Sequence, residues 1–318
     1  MILFTADWHI KLGQKNVPTP WAISRYHQLF EQIHSLEQAC DLHIIGGDIF
    51  DRIPTMEELQ LYFSFIRMVE IPTIIFDGNH EATRKNKTFL TQLQDVTESL
   101  NPLVQVCDKL MTYKQYGFTI LPYCDLHKKG IIEKIDEKYP LFTHVRGEIP
   151  PHVKPEIDLD LLAKFDTVFA GDLHNHSNSQ RNIVYPGSPC VTSFHRNEVK
   201  TGYILIDKDW SWSWHEFTLP QLLRKTVTSV DEMIKTDFHH TIYEIQGDIQ
   251  DLAAVENTEL LDKKIVNRNA ESSLILEKDM SIEDELVEYL TYILEISEHK
   301  IPTIMGLYND YTANVAME

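Results

Sequence analysis

The sequence predicts an α/β protein: two mixed sheets in a four-layer α-β-β-α sandwich, with a small α+β cap at the C-terminal end. Three observations predict it. The first hundred residues alternate short apolar runs with longer helical patterns. From about residue 103 a series of short β-like segments takes over, and Pro220 then separates this core from a differently patterned remainder.

In the first half, Ile2 to Thr5 reads as a strand and Trp21 to Cys40 as a helix, with Ile23, Leu29, Ile33 and Leu36 near helical spacing. A strand at Leu42–Ile45, a helix at Thr55–Val69, a strand at Thr73–Phe76 and a helix at Lys87–Leu100 follow. This β-α-β order implies parallel strands joined by right-handed crossovers. The second half offers strands at Val104–Val106, Phe118–Leu121, Leu141–Thr143, Thr167–Ala170, Asn182–Tyr185, Tyr203–Asp207 and Ser211–Phe217. The last two form a hairpin turning at Lys208-Asp209. Beyond Pro220, Lys225 to Ile249 reads as strand-helix-strand. Ser281 to Ser297 reads as an amphipathic helix with Ser281 and Asp284 at its capping positions, and the tail after Ile301 as irregular. The domains expected are a core over residues 1–220, a cap over 221–280, and a terminal helix and tail over 281–318 that could dock a partner.

The 318 residues are 43% hydrophobic and 24% charged, the balance of a folded globular chain. No apolar run approaches the ~18–20 residues that span a bilayer, and the N-terminus lacks the basic and apolar regions of a signal peptide. A cytoplasmic location is therefore expected, and the four scattered cysteines read as reduced packing residues. The net charge of −19 opposes a uniformly attractive surface for phosphate backbones. Bound divalent cations or a basic partner subunit would offset it.

Acidic and imidazole residues cluster just after the predicted strands, where an α/β sheet places its ligands. Asp7-Trp8-His9 is a D-x-H triplet; on an extended segment both outer side chains point the same way. Gly46-Gly47-Asp48-Ile49-Phe50-Asp51 offers a carboxylate that can bridge two cations, although either aspartate could instead cap the following helix. Asp77-Gly78-Asn79-His80-Glu81 places a neutral amide oxygen suited to a hard cation beside a histidine free to act as a general acid. His144 follows Leu141-Phe142-Thr143, and Asp172 and His174 share a face after Thr167–Ala170. Mixed nitrogen and oxygen donors around a shared carboxylate suit manganese, iron or zinc, and two such ions make a clamp for displacement at phosphorus.

Together these motifs resemble the calcineurin-like metallophosphoesterases, whose pattern runs D-x-H, G-D-x-x-D, G-N-H-[DE], H and G-H-x-H. More narrowly, Thr5-Ala6-Asp7-Trp8-His9 and the Tyr185-Pro186-Gly187-Ser188-Pro189 segment followed by Ser193-Phe194 resemble the SbcD-like DNA repair nucleases. The resemblance covers residues 1 to about 220. It implies two divalent ions, manganese above all: one held by Asp7, His9, Asp48 and His174, the other by Asp48, Asn79, His144 and Asp172, with His80 as the catalytic residue over the scissile phosphate. Asp172 departs from the family pattern, standing where a histidine is usual; His176 is the alternative ligand.

The activity implied is 3′-to-5′ exonuclease and single-strand endonuclease action on DNA by metal-activated water. It belongs to DNA repair and recombination, in the host cytoplasm if the chain is phage-encoded. The partners implied are an SbcC-like coiled-coil ATPase and a second copy of the chain, forming a heterotetramer. Lys11, Lys15, Arg52, Arg84, Lys85, Lys87 and Ser188 are candidate DNA contacts. Two other readings stand beside this one: a phosphodiesterase or phosphatase acting on a small molecule or protein, and a non-catalytic scaffold. A scaffold should have lost ligands, and none is missing here.

Overall fold

The computed structural model describes residues 1–84, 87–233, 238–245, 261–263, 281–294 and 296–315. Along the chain run β1 (Ile2–Thr5), α1 (Thr19–Glu37), β2 (Leu42–Gly46), α2 (Met56–Met68), β3 (Thr73–Phe76), the short strands β4 (Ala82–Arg84) and β5 (Lys87–Thr88), α3 (Leu90–Leu100) and β6 (Val104–Cys107). Then come β7 (Met111–Tyr113), β8 (Phe118–Leu121), α4 (Tyr123–Leu126), β9 (Leu141–His144), β10 (Val168–Gly171), β11 (Ile183–Val184), β12 (Gly202–Ile206) and β13 (Trp212–Glu216).

Two sheets carry the core. The first has the order β13-β12-β1-β2-β3-β6, with β1, β2, β3 and β6 parallel and the β12–β13 hairpin antiparallel at one edge. The second has the order β11-β10-β9-β8-β7, parallel except at β7. Their facing sides share an aromatic layer. Phe142 stacks on Phe169 at 5.0 Å between ring centroids and meets Phe4 edge-on at 5.3 Å. Phe76, Phe118 and Ile44 complete this fully buried layer.

Helices α1, α2 and α3 cover the outer face of the first sheet through Leu29, Phe30, Ile33, Tyr62, Phe65 and Leu90. The outer face of the second sheet is covered by α4 and by single 3-10 turns at Ile132–Lys134 and Leu159–Leu162, packed on Leu141 and Val168. The four layers are thus present, but the fourth is built of short turns, because its sequence lacks long runs at helical period. All four cysteines are buried and unpaired.

Helix α2 shows how local chemistry sets an element. Thr55 accepts from the Glu58 amide at 3.3 Å, and the Glu58 carboxylate accepts from the Thr55 amide at 2.7 Å, closing a capping box. The helix expected from Lys87 starts instead at Leu90, since Lys87–Thr88 pairs with Ala82–Arg84.

The first compact unit takes in Met1–Val227 and Asp231–Glu244, so it runs past the Pro220 boundary expected from the sequence. Strands β14 (Leu222–Val227), β15 (His240–Ile245) and β16 (Leu261–Lys263) form a three-stranded sheet. Between β14 and β15 the described residues hold a single 3-10 turn, Val230–Glu232, in place of the helix expected there. In the second unit, α5 (Ile282–Glu288) continues as a π-helical turn over Tyr289–Ile293, with Ser281 accepting from the Asp284 amide. The tail expected to be irregular is helix α6 (Ile301–Val315). Pro302 is tolerated because it falls in the first turn, where its missing N–H has no helical partner to lose. Among the described residues, no helix is long and apolar enough to cross a membrane.

Candidate metal centre

Each predicted ligand sits on a loop or strand end at one edge of the two sheets. After β1, the amide of Asp7 donates to Gly47 O at 3.0 Å and that of His9 to Asp48 O at 2.9 Å, so backbone pairing continues past the strand ends. The Asp7 carboxylate accepts from the Asp172 amide at 3.0 Å, tying the first sheet's loop to the second's. The D-x-H triplet is not extended as the sequence suggested. Asp7, His9, Asp48 and Asp172 have φ of +58°, +46°, +52° and +105°. Non-glycine residues rarely adopt this left-handed region, and four of them here are held against local strain by the surrounding loops. Trp8 between the two ligands is fully buried. Its indole donates to Thr5 Oγ1, which contacts His43, which contacts Glu37, all inside the core.

The donors form two groups. In the first, ligand atoms of Asp7, His9 and His174 lie within 4.8 Å of one another, and the Nε2 atoms of His9 and His174 are 2.9 Å apart. In the second, His144 Nε2 lies 3.0 Å from Asn79 Oδ1 and 3.4 Å from Asp48 Oδ2. The Asn79 side-chain amide also reaches within 3.2 Å of Asp48 Oδ2 and 3.3 Å of Asp172 Oδ1. His144 Nε2 to Asp172 Oδ1 is 4.0 Å.

These contacts are satisfied either by the Asn79 amide nitrogen turned toward the acceptors or by a cation among them. Four donors gathered at about 2.1 Å around one cation stand about 3.0–3.5 Å from each other. The Asn79, His144 and Asp48 donors have that spacing, with Asp172 Oδ1 set a little wider at 4.0 Å from His144, and the residues fit a divalent ion. Asp48 Oδ2 is also 3.7 Å from His9 Nε2, which places the same carboxylate at both groups.

Charge follows burial. Burial holds His9 down to about 3, so its imidazole is neutral at neutral pH. Burial pushes Asp7 well up. For Asp48 burial pushes up, but the His144, His9 and His80 imidazoles together outweigh it, holding the carboxyl below its ordinary range. His144 is held well above its ordinary value: burial pulls it down, and the Asp48, Asp7 and Asp172 carboxylates more than reverse that. A raised His144 carries a proton at neutral pH without metal, and it must lose that proton to ligate. Manganese loading near pH 7 is therefore expected to release protons and to weaken as pH falls. Calorimetric titrations in buffers of different ionisation enthalpy would read this, and a buffer-independent heat would contradict it.

His80 stands beside Asp48 and His9, its ring centroid 4.7 Å from that of His9. Its amide donates to Asp48 Oδ1 at 2.9 Å, and its Nδ1 donates to Asp51 O at 2.6 Å. Nε2 is thereby left facing the centre, 3.9 Å from Asp48 Oδ2, with the side chain 36% exposed.

Sequence reasoning missed the braces behind these ligands. Glu81 is fully buried, and its two oxygens accept from the amides of Asp48 (2.8 Å), Gly78 (2.9 Å) and Phe50 (3.0 Å). It binds the G-D loop to the G-N-H loop, with burial raising its carboxyl to about 8. Glu81→Ala strands three buried donors and is expected to cost about 3 kcal/mol in denaturant unfolding of the metal-free chain. A loss under about 1 kcal/mol would show the loops to be held otherwise. A Cβ on Gly78 would overlap Asp48 Oδ1 and the His144 ring, which explains the glycine there.

Arg146, also unforeseen, pairs with Asp172 through Nε at 3.3 Å and Nη2 at 3.2 Å. Only its place two residues after His144 could have flagged it.

The other predicted residues divide. Ser188 is 2% exposed, with its hydroxyl 2.6 Å from both Asp7 O and Cys190 O and its amide donating to His174 O. It props two ligand loops, its hydroxyl spent on backbone carbonyls, and at 2% exposure it offers little surface for the DNA contact expected from the sequence. Arg52 is held by Glu58, with Nη1 at 2.9 Å from Oε1, and Lys11 by Asp51 at 2.7 Å. Lys15 and Lys87 lie on the first unit, Lys87 exposed. Arg84 belongs to β4, and Lys85 lies outside the described residues. His176 donates from Nδ1 to Tyr185 O at 2.7 Å and stacks on Trp214, away from both donor groups.

This donor arrangement coincides with a family match. The pattern of calcineurin-like phosphoesterases matches residues 1–206. The chain belongs to the calcineurin-like phosphoesterase family. It is accordingly a hydrolase of phosphate esters that uses divalent metal ions.

Among curated relatives, the phosphoesterase is 40% identical over 321 residues to "Probable exonuclease subunit 1" of Escherichia phage T5, covering 96% of each chain. It is 27% identical over 228 residues to "Putative phosphoesterase 244L" of Invertebrate iridescent virus 6, covering 65% of this chain and 76% of the relative. Among solved structures, a novel archaeal phosphodiesterase matches with 12% identity and a TM-score of 0.38, over 68% of this chain and 99% of that one. A Thermus thermophilus protein matches with 11% identity and a TM-score of 0.40, over 68% and 97%.

Proposed function

We propose that this phosphoesterase is a two-metal DNA nuclease, acting as a 3′-to-5′ exonuclease and single-strand endonuclease in DNA repair and recombination. The observation that carries the reading is the donor pair sharing Asp48. Two groups of nitrogen and oxygen ligands meet at one carboxylate, with His80 above them. The choice of DNA as substrate is supported by the phage T5 relative, whose name is that of an exonuclease subunit and whose match spans 96% of both chains.

Asp7, His9, Asp48 and His174 would hold one ion, and Asp48, Asn79, His144 and Asp172 the other; manganese suits this oxygen-rich set. When bound, the pair supplies an activated water and neutralises charge gathering on the phosphoryl oxygens. The chain's own residues do the rest. The Asp51 carbonyl fixes the His80 ring so that Nε2 faces the substrate, where a proton held on it passes to the leaving oxygen. Glu81 and Ser188 keep the ligand loops in register, and the buried walls of the centre limit competing water.

A cleft beside His174, lined by Asn175, Thr192, Ser193, His195 and Lys200 and by no carboxylate, gives a phosphate backbone a place to lie on an acidic chain. The "subunit" in the relative's name fits a complex with an SbcC-like ATPase. In the second unit, Ile282 and Leu294 are 68% and 50% exposed, apolar side chains that such a partner could cover. A homodimer through α2 fits the exposed Met56 at its start (70%) and the half-buried Leu59 and Phe63.

The test is cleavage of end-labelled single- and double-stranded DNA with manganese. Mononucleotides released from the 3′ end support the reading. Intact DNA beside hydrolysed bis-p-nitrophenyl phosphate would instead favour a small-molecule phosphodiesterase.

A further inference from the structure

Asp172 contributes a second buried carboxylate to a donor group that already contains Asp48, and Arg146 is built against it. Arg146 follows β9 on the loop that begins after His144, and its amide donates to Glu156 Oε1 at 2.7 Å, which fixes the loop. Its guanidinium addresses Asp172 as a fork, Nε to Oδ2 at 3.3 Å and Nη2 to Oδ1 at 3.2 Å. The Asp172 side chain is 5% exposed and that of Arg146 43%. Among the described residues, Arg146 is the only lysine or arginine paired with a ligand carboxylate.

The fork matters because a carboxylate on a residue at φ +105° has no strand to orient it. A fork fixes the carboxylate plane as a point charge cannot. With both oxygens engaged, Oδ1 is the one set 3.3 Å from the Asn79 side-chain amide and 4.0 Å from His144 Nε2.

We propose that Arg146 is a positioning residue of the second cation site. It holds Asp172 with Oδ1 turned to the other donors, and the carboxylate–guanidinium pair then acts as a ligand of no net charge, as an imidazole would. The inference rests on the two-cation reading above.

Manganese titration calorimetry on the metal-free full chain tests it. Arg146→Met is expected to weaken one of the two sites by about tenfold or more and leave the other unchanged. In an Asp172→His background the same substitution should change neither site, because an imidazole needs no fork. A merely structural role would lower affinity in both backgrounds. Arg146→Lys should fall between wild type and Arg146→Met, and this order decides the matter if the Asp172→His chain does not fold. Unchanged or tighter binding in Arg146→Met would overturn the proposal, as would an equal loss in both backgrounds. A wild-type chain that binds a single manganese ion or none would overturn the two-cation reading itself, before any substitution is made.

Discussion

Replacing Asp48 by asparagine is expected to lower kcat/KM on bis-p-nitrophenyl phosphate by at least about 10³-fold and to empty the centre of metal. The amide keeps the shape of the side chain and removes the charge on which both donor groups converge. In the wild type, Asp48 Oδ2 lies 3.4 Å from His144 Nε2 and 3.7 Å from His9 Nε2, so one substitution weakens both sites at once. The fold should survive, because the Asp48 backbone bonds to His9 and Glu81 do not involve the side chain. Metal content and activity are the two readings. Full manganese occupancy with turnover intact would show that Asp48 is not the shared ligand.

His80→Ala is expected to behave differently: metal retained, and turnover of DNA lowered by about 10²–10⁴-fold. Its Nε2 lies 3.9 Å from Asp48 Oδ2, its ring meets that of His9 edge-on at 4.7 Å between centroids, and the Asp51 carbonyl anchors it. If His80 delivers a proton to the leaving oxygen, the loss depends on the leaving group. A deoxyribose alkoxide needs the proton, whereas p-nitrophenolate leaves without one. The deficit should therefore shrink by an order of magnitude or more on the nitrophenyl ester. Equal deficits on the two substrates would assign His80 a role in stabilising phosphoryl charge and not in proton transfer.

Much of the cluster was legible because the residues that gather in it are chemically specific and fall where strands end. The motifs at Asp7, Asp48, Asn79, His144 and His174 could be read without coordinates, since a sheet edge brings strand ends together whatever the loops do. The backbone conformation was not legible. The D-x-H alternation holds, yet it comes from left-handed φ at Asp7 and His9 and not from a pleated strand. Nothing in residue spacing distinguishes the two.

The braces were hidden for another reason. Glu81, Ser188 and Arg146 act through contacts between loops far apart in sequence, and a polar residue near a ligand looks the same whether it faces solvent, DNA or a neighbouring backbone amide. Ser188 shows the consequence: its place in a loop suggested a phosphate contact, and its burial at 2% exposure makes it a strut. Among the elements, long periodic helices such as α1 and α2 were recoverable. Strands β4, β5 and β7, of two or three residues, carry too little pattern to be seen. Helix α6 was missed; it contains Pro302 and Gly306, residues that disfavour a helix interior, although the proline sits in a first turn.

The most direct test of the two-cation centre is anomalous diffraction from crystals of the full chain soaked with manganese. Two peaks about 3.5–4 Å apart are predicted. Asp48 should lie between them, His9 and His174 on one side, and Asn79, His144 and Asp172 on the other. A single peak, or two peaks that do not share Asp48, would contradict the account.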